Sequence, residues 1–355
     1  MTQNTPLSPC HLRITSDVRR RVLSAAQLKA VGVSPAQAAE QCRPGGPWQQ
    51  PLPGVFVLHP GPLSGRERLR SALLYAGRPP AAGRRAAPAR AGGTDPGYGE
   101  AMITGLAALS LYGFAAAPPA VSTDRIDVLV PRVRRLRSAR YVRLLRTSEP
   151  PRPEQLDGMP VAPVARALAD AVAGLGDAHA VRRLLTEAVR GGHCEPAVVV
   201  GELNRAKMLD RPQVVNAVDS LLAEGRALAE ERLYDLVRAH GLPEPLWNVD
   251  LRLPGGPHLG AVDAYWPEEA VAVELDTRAP RHSRLDDDHR QEEHEAEWSA
   301  YTARREHLER LGVTVVHLTP EKLRAAGEQQ AIVVRTALMA AADREPAAYV
   351  MILPR

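Results

Sequence analysis

The chain has 355 residues, with 45 Lys and Arg against 41 Asp and Glu and a formal net charge of +4. This length predicts two or three domains with sizeable cores. The three cysteines (Cys10, Cys42 and Cys194) lack CxxC or zinc-ligand spacing, which excludes a disulfide framework and predicts a cytoplasmic protein.

The charge is unevenly distributed along the chain. Residues 1–160 hold 22 Lys and Arg against 10 Asp and Glu, a balance of +12, and the remainder holds 23 against 31, a balance of −8. A basic first half is expected of a surface that contacts phosphates, so DNA is the expected partner. The acidic second half would repel nucleic acid unless cations intervene.

The first predicted elements are those of a helix-turn-helix. A short helical run is predicted over 22–30, followed by a turn. Ser34 then caps a second helix, which begins at Pro35 and ends near Gln41.

Two short strands and a longer helix come next. Segments 45–50 and 53–58 are predicted as the strands of a wing, and Ser64-Gly65-Arg66-Glu67 is a capping box that opens a helix over 66–75. Helix-turn-helix followed by a hairpin is typical of winged-helix architecture. The alternative is a winged helix that serves protein contact or packing only.

The next segments alternate between linker-like and apolar composition. Residues 78–99 are rich in Pro, Gly, Ala and Arg, which predicts a disordered insertion. Residues 101–117 are apolar but short for a membrane span, so a buried helix and no membrane association are expected.

After a predicted strand at 126–130, the Arg-rich run 132–146 indicates a basic strand or edge hairpin. It is either a phosphate surface or a protected sheet edge.

Residues 22 to about 175 resemble the transcriptional-regulator antitoxins of abortive-infection type IV toxin–antitoxin systems. The segments that carry the resemblance are 24–28, 32–34, 52–57, 103–113, 126–131 and 158–170. The resemblance implies DNA binding and autoregulation. The residues expected to contact nucleic acid are Arg19, Arg20, Arg21, Gln37, Gln41, Arg43, Arg132, Arg134 and Arg135.

Downstream, a carboxylate lies on the apolar face of a predicted helix. Residues 176–212 are expected to be a helical connector, and a further helix is predicted over 221–240, with Gly241 as its C-cap. Glu230 lies on the same stripe as Leu233 and Val237, where a charged group needs a partner.

Two further carboxylates interrupt neighbouring apolar, β-prone runs. Asp263 lies in Ala261-Val262-Asp263-Ala264-Tyr265-Trp266, and Glu274 and Asp276 lie in Val271-Ala272-Val273-Glu274-Leu275-Asp276. Side chains alternate along a strand, so paired runs would bring the three acids to one face. A divalent cation with oxygen ligands, such as Mg²⁺, would offset their repulsion. The alternative is an edge hairpin whose acids face water.

The elements that follow complete an α/β order. His282 precedes a predicted helix over 292–311, a strand over 313–318 and a helix opened by Thr319 and Pro320. By itself, His282 is expected to be a surface loop histidine.

Residues 225 to 325 resemble small nuclease-fold domains related to the very-short-patch repair endonucleases, in the wider PD-(D/E)xK superfamily. Segments 230–233, 241–245, 262–267, 273–276 and 308–316 carry this resemblance. It implies that Asp263 and Glu274 bind Mg²⁺, that Glu230 ligates metal or orients water, and that Asp276 and His282 complete a catalytic set.

The sequence thus predicts an α/β multidomain protein with an N-terminal winged helix, a mixed α/β middle domain and a C-terminal restriction-endonuclease-like α/β domain. The expected divisions are 1–76, the insertion 77–100, the middle domain 101–175, the connector 176–224 and the endonuclease-like domain 225–345. The expected function is DNA binding in defence, repair or regulation, with metal-dependent phosphodiester cleavage. The alternative is a non-enzymatic regulator or scaffold with a decayed nuclease fold and a protein partner.

Overall fold

The computed structural model describes residues 18–78, 97–277, 302–341 and 350–354. The chain forms two compact units. Unit 1 comprises Met1–Ala188 and Glu202–Ala217, and unit 2 comprises Val189–Gly201 and Val218–Arg355. Each unit contains both helices and sheet, so the α/β multidomain class is confirmed at this level.

Unit 1 contains a three-stranded and a five-stranded sheet. Its strands are β1 (Val22–Ser24), β2 (Gln49–Leu52), β3 (Val55–Val57), β4 (Met102–Thr104), β5 (Ile126–Pro131), β6 (Val142–Thr147), β7 (Glu154–Leu156) and β8 (Met159–Val161). Its helices are α1 (Val18–Arg21), α2 (Ala25–Ala30), α3 (Pro35–Gln41), α4 (Gly65–Gly77), α5 (Gly105–Leu111), α6 (Val164–Ala173) and most of α7 (Ala178–Arg190). Helices α8 (Pro196–Arg205) and α9 (Pro212–Ala239) contribute residues to both units, and α7 and α8 confirm that the predicted connector is helical.

The three-stranded sheet has the order β1-β3-β2, with both pairings antiparallel. The prediction of one helical run over 22–30 is wrong, because Val22–Ser24 forms strand β1 against Val55–Val57. Val22 is fully buried there, and a β-branched side chain suits a pleated strand better than a helix. Tertiary pairing has overridden the local helical pattern of the segment.

Serine caps fix the starts of α2 and α3. The Ser24 and Ser34 hydroxyls each accept a hydrogen bond from the amide three residues on, and the side-chain oxygens of Gln27 and Gln37 each accept one from the serine amides. The predicted helix start at Ser34 and Pro35 is therefore confirmed. The turn between the helices uses Gly32 with a positive φ of 84°.

Helix α4 begins with the predicted capping box at Ser64, and it runs slightly longer than the expected 66–75. Its Glu67 is only 2% exposed. The carboxylate accepts hydrogen bonds from the Ser64 amide at 2.9 Å and pairs with His59 at 3.0 Å and Arg21 at 3.3 Å. A buried carboxylate needs such partners, and these tie the end of α1 and the chain after β3 to α4.

The five-stranded sheet of unit 1 has the order β6-β5-β4-β8-β7. The prediction of a continuous buried helix over 101–117 is wrong, because Met102–Thr104 is strand β4 and only Gly105–Leu111 is helical. Gly105 has a φ of 63°, which allows the sharp change of direction between them. Burial was predicted correctly, since every residue of β4 is buried.

Strand β6 lies at the edge of this sheet and runs parallel to β5. The predicted strand at 126–130 is confirmed, and the expected basic strand exists over Val142–Thr147. The hairpin alternative is wrong, because parallel strands cannot be joined by a tight turn and residues 132–141 form a crossover instead.

Unit 2 is built on a five-stranded sheet with the order β12-β11-β10-β9-β13. Its strands are β9 (Leu246–Arg252), β10 (His258–Trp266), β11 (Val271–Leu275), β12 (Thr314–Leu318) and β13 (Met351–Pro354). Its helices include the later part of α9, residues 302–310 (α10), α11 (Pro320–Ala325) and α12 (Gly327–Ala341). The predicted order of helix, two strands, helix, strand and helix is confirmed for the described residues, and β9 and β13 were not predicted.

Apolar layers cover both faces of this sheet. On one face, Leu233 of α9 and Val334 of α12 pack with Val273 of β11. On the other face, Leu308 of α10 packs with Ala272 of the same strand and Val315 of β12. Alternation along β11 therefore assigns Glu274 to the face that carries α10.

The predicted ends of two unit 2 helices are confirmed. Helix α9 begins earlier than the expected residue 221 but ends before Gly241, which has a φ of 60°. Thr319 caps α11 by accepting from the Lys322 amide, and Pro320 occupies its first turn. None of the helices in the described part of the chain combines the length and apolar character that a bilayer span requires.

We expect Glu67→Gln to destabilise the protein by about 2 kcal/mol, the size of charge-assisted hydrogen bonds to a buried group. Burial raises the pKa of the Glu67 carboxyl, but hydrogen bonds from Ser64 and His59 outweigh it and hold the pKa below its ordinary 4.5. Because the folded-state pKa is depressed, this stabilisation is complete above the unfolded-state pKa of about 4.3. It is lost as the pH falls through the folded-state value.

Urea unfolding at a series of pH values measures this effect. The difference between wild type and Glu67→Gln should shrink as the solution becomes acidic. Glu40→Gln is the matched control, because the Glu40–Arg43 pair is exposed and should contribute little. Equal effects of the two substitutions would contradict the role assigned to Glu67.

Candidate functional site

Glu274 lies near the end of β11, beside His317 in the parallel register with β12. Its carboxylate accepts a hydrogen bond from Arg304 Nη2 at 2.6 Å, and His317 Nδ1 lies 3.6 Å from its other oxygen. The side chain of Glu274 is 12% exposed, so its charge requires a compensating cation. Arg304, on α10, supplies that cation.

Backbone carbonyls of strand β10 bind the Arg304 guanidinium. Arg304 Nε donates to the Leu259 carbonyl at 2.9 Å, and Nη2 donates to the Ala261 carbonyl at 2.8 Å. The register with β9 shifts between His258 and Gly260, as in a β-bulge, and Gly260 has a φ of 118°. A Cβ at position 260 would overlap the guanidinium, so the glycine opens the space that Arg304 fills.

Asp263 is 8% exposed and is bound from two sides. One carboxylate oxygen accepts the Leu275 amide of β11 at 2.7 Å, and the other accepts Arg226 Nη2 of α9 at 2.6 Å. Arg226 Nε also lies 2.9 Å from Glu230, one turn further along the helix. The guanidinium therefore bridges the acid of the sheet and the acid of the helix.

The structure thus sorts the predicted site residues into two arginine-centred groups. Glu230 and Asp263 share Arg226, and Glu274 pairs with Arg304 near His317. Asp276 is half-buried, and its amide donates to the Leu318 carbonyl at 2.8 Å. His282 lies outside the described residues.

The described residues do not fit a divalent cation in this arrangement. They contain no group of three or more His, Cys, Asp or Glu side chains that could hold a metal ion. Asp263 and Glu274 each accept a hydrogen bond from an arginine. A guanidinium group has only donors, so these arginines cannot serve as metal ligands. The expected Mg²⁺ site therefore remains a prediction from resemblance.

A narrow depression borders the Arg226 group. It is lined by Glu230, Leu233, Tyr234, Trp247, Asn248 and Asp263. The Tyr234 and Trp247 rings form its aromatic wall, with centroids 4.0 Å apart. Asn248 has a φ of 50° in the middle of β9, which marks local distortion of the strand beside Asp263.

Sequence reasoning missed the residues that bind the acids. Arg226 lies four positions before Glu230, and this spacing signals an ion pair on a helix. Gly260 lies inside an apolar strand, which signals a bulge or the close approach of another group. For Arg304 and His317 the sequence gives no comparable signal, because their partners depend on how α10 and β12 pack against β11.

A second candidate site is the basic crossover of unit 1, defined as residues 132–141. Its path is fixed by hydrogen bonds: Arg134 donates to the Ala76 carbonyl at 2.7 Å, and the Tyr75 hydroxyl donates to the Arg137 carbonyl at 2.6 Å. Burial, opposed by Glu100 and reinforced by Arg78, lowers the pKa of Arg134. Arg134 therefore anchors the crossover, and its expected contact with phosphate stays a prediction.

Three arginines of the basic crossover point into solvent. Arg132, Arg135 and Arg137 are exposed, and no partner for their side chains is found among the described residues. Arg140 donates to the Gln50 carbonyl at 3.3 Å, which connects the crossover to strand β2. Guanidinium groups without acidic partners are the side chains expected at a phosphate-binding surface.

Some of the residues near α3 that were expected to contact nucleic acid have partners within the protein instead. Gln37 uses its side-chain oxygen in the capping box at Ser34, and Arg43 pairs with Glu40 at 2.7 Å. Arg21 faces the buried Glu67. Gln41 is half-buried, and the side chains of Arg19 and Arg20 lie outside what the structure describes. The crossover therefore presents a better-defined basic surface than α3 does.

Neither a protein-family model nor a curated protein matches this chain.

We expect Gly260→Ala to destabilise unit 2 by about 3 kcal/mol, because it adds backbone strain and displaces Arg304 from its acceptors. Gly255→Ala is the matched control: Gly255 also has a positive φ, of 64°, but no described atom lies within 4 Å of its would-be Cβ. That control should cost about 1 kcal/mol. Urea unfolding measures the free energy of unfolding of both variants. Equal losses would show that the hydrogen bonds of Arg304 beside Gly260 contribute nothing to stability.

Proposed function

We propose that the protein is a DNA-binding regulator that contacts phosphates through the basic crossover of unit 1. The observation that carries this proposal is the trio of exposed arginines at 132, 135 and 137 on a crossover held by its own hydrogen bonds. A fixed backbone presenting solvated cations loses little conformational freedom when it binds a polyanion.

The elements that precede the crossover support the same proposal. The order β1, α2, α3, β2, β3, with a glycine turn between two capped helices, supports the proposal of a winged helix. Arg140 joins the crossover to β2, the first strand of the proposed wing. A duplex lying along this side of unit 1 would meet wing and crossover together.

In the proposed function, unit 2 is a non-enzymatic module with a nuclease-like fold. Its order of elements and its acids agree with the resemblance to PD-(D/E)xK domains. Its two central carboxylates, however, are bound to arginines. No cleavage step is therefore assigned to them.

We expect R132Q/R135Q/R137Q to weaken binding to a random-sequence DNA duplex and to reduce its salt dependence. Each lost phosphate contact lowers the slope of log affinity against log salt by about 0.9, so the triple variant should lower it by about 2–3. Electrophoretic mobility shifts over a salt series give the slope.

The matched control is R152Q/R182Q/R183Q, which removes three exposed arginines of unit 1 that lie outside the crossover. It should bind with nearly the wild-type slope. Equal slopes for wild type and the crossover variant would overturn the assignment of the surface. Failure of the wild type to bind any duplex would leave a protein-interaction scaffold.

A plasmid-nicking assay with Mg²⁺ or Mn²⁺ tests the enzymatic alternative. We expect wild type, Asp263→Ala and Glu274→Ala to nick equally little, because both carboxylates are bound to arginines in the folded protein. Nicking by the wild type that either substitution abolishes would establish a nuclease and contradict the proposed role of unit 2.

A further inference from the structure

The carboxylates of unit 2 are compensated from two helices on different faces of one sheet. Arg226 comes from α9, which packs on the face containing Val273, and Arg304 comes from α10, which packs on the face containing Ala272. Both arginines are fixed by further acceptors besides the sheet carboxylates. They are therefore parts of the fold and not chance surface pairs.

We propose that Arg226 and Arg304 occupy the carboxylate oxygens that a divalent cation would need, so that folded unit 2 excludes divalent metal from its acid centre. The acid centre is defined here as two arginine-bound groups: Glu230 with Asp263, and Glu274 by itself. This inference does not depend on DNA binding by unit 1.

The geometry around Arg304 supports the proposal most strongly. Its guanidinium has acceptors at three points: the Leu259 and Ala261 carbonyls and the Glu274 carboxylate, all between 2.6 and 2.9 Å. Gly260 removes the Cβ that would block this position. A planar guanidinium uses several acceptors of fixed direction, and a Mg²⁺ ion would instead require octahedral oxygen ligands at shorter distances.

Arg226 compensates the other two acids. One guanidinium bridges Asp263 at 2.6 Å and Glu230 at 2.9 Å, and its side chain is 40% exposed. The Leu275 amide donates to the remaining Asp263 oxygen at 2.7 Å. Both Asp263 oxygens thus have hydrogen-bond donors, and a cation at the oxygen that accepts from Arg226 would be repelled by the guanidinium charge beside it.

The described partners of the three carboxylates offset most of their charge. Three carboxylates in the acid centre face two guanidinium groups, and His317 lies 3.6 Å from Glu274. Repulsion among the acids is therefore largely offset within the chain. A divalent cation would gain affinity only after at least one arginine had left its carboxylate.

Manganese binding to the full chain tests the proposal. Free Mn²⁺ is measured by electron paramagnetic resonance while Mn²⁺ alone is titrated into wild type, R226Q/R304Q and R226Q/R304Q/D263N/E274Q. We expect no submillimolar Mn²⁺ binding by the wild type, Mn²⁺ binding by R226Q/R304Q, and loss of that binding in the quadruple variant. Circular dichroism confirms that each variant is folded.

The matched control is R238Q/R305Q, which removes one exposed arginine from each of the same two helices. It should gain no Mn²⁺ site, which separates removal of the specific pairings from a general loss of positive charge. A gain equal to that of R226Q/R304Q would overturn the proposal, as would a folded R226Q/R304Q that binds no Mn²⁺.

A wild-type measurement keeps the proposal testable if R226Q/R304Q does not fold. A submillimolar Mn²⁺ site in the wild type that is lost in folded D263N or E274Q would show that the arginines do not exclude metal. Wild-type binding that is weaker than millimolar and unchanged in those variants supports the proposal.

Discussion

A carboxylate withdrawn from water must receive hydrogen bonds or a cation, and the arrangement of unit 2 follows from that constraint. Asp263 and Glu274 lie on neighbouring strands of the sheet with little exposure, and each is bound by an arginine from a different helix. These ion pairs add specific polar contacts to the apolar layers that hold α9 and α10 against the sheet. Glu67 follows the same rule in unit 1, where Ser64, His59 and Arg21 surround it.

The same constraint separates structural arginines from those free to bind a partner. The guanidinium groups of Arg226 and Arg304 form ion pairs with carboxylates, and that of Arg134 donates to backbone carbonyls. Arg132, Arg135 and Arg137 of the basic crossover have no such side-chain partner among the described residues. This difference is why DNA binding is proposed for unit 1 and why the acid centre of unit 2 is assigned no cleavage chemistry.

Local signals in the sequence were sufficient for the helix starts at Ser34, Ser64 and Thr319, because capping chemistry involves residues only three positions apart. They failed at 22–24 and 102–104, where pairing with distant strands outweighed helical pattern. The acids at 263 and 274 were recognised because they interrupt apolar strands. Their partner Arg304 was not, because the contact requires the bulge at Gly260 and the packing of α10, and neither can be derived from spacing.

A crystal structure of the full chain grown with MnCl₂, with anomalous data collected at the manganese edge, tests the arginine-paired acid centre most directly. The account predicts guanidinium density from Arg304 against Glu274 and from Arg226 against Asp263, without an anomalous peak between the carboxylates. A manganese peak coordinated by Asp263 and Glu274, with either arginine swung away, would contradict it.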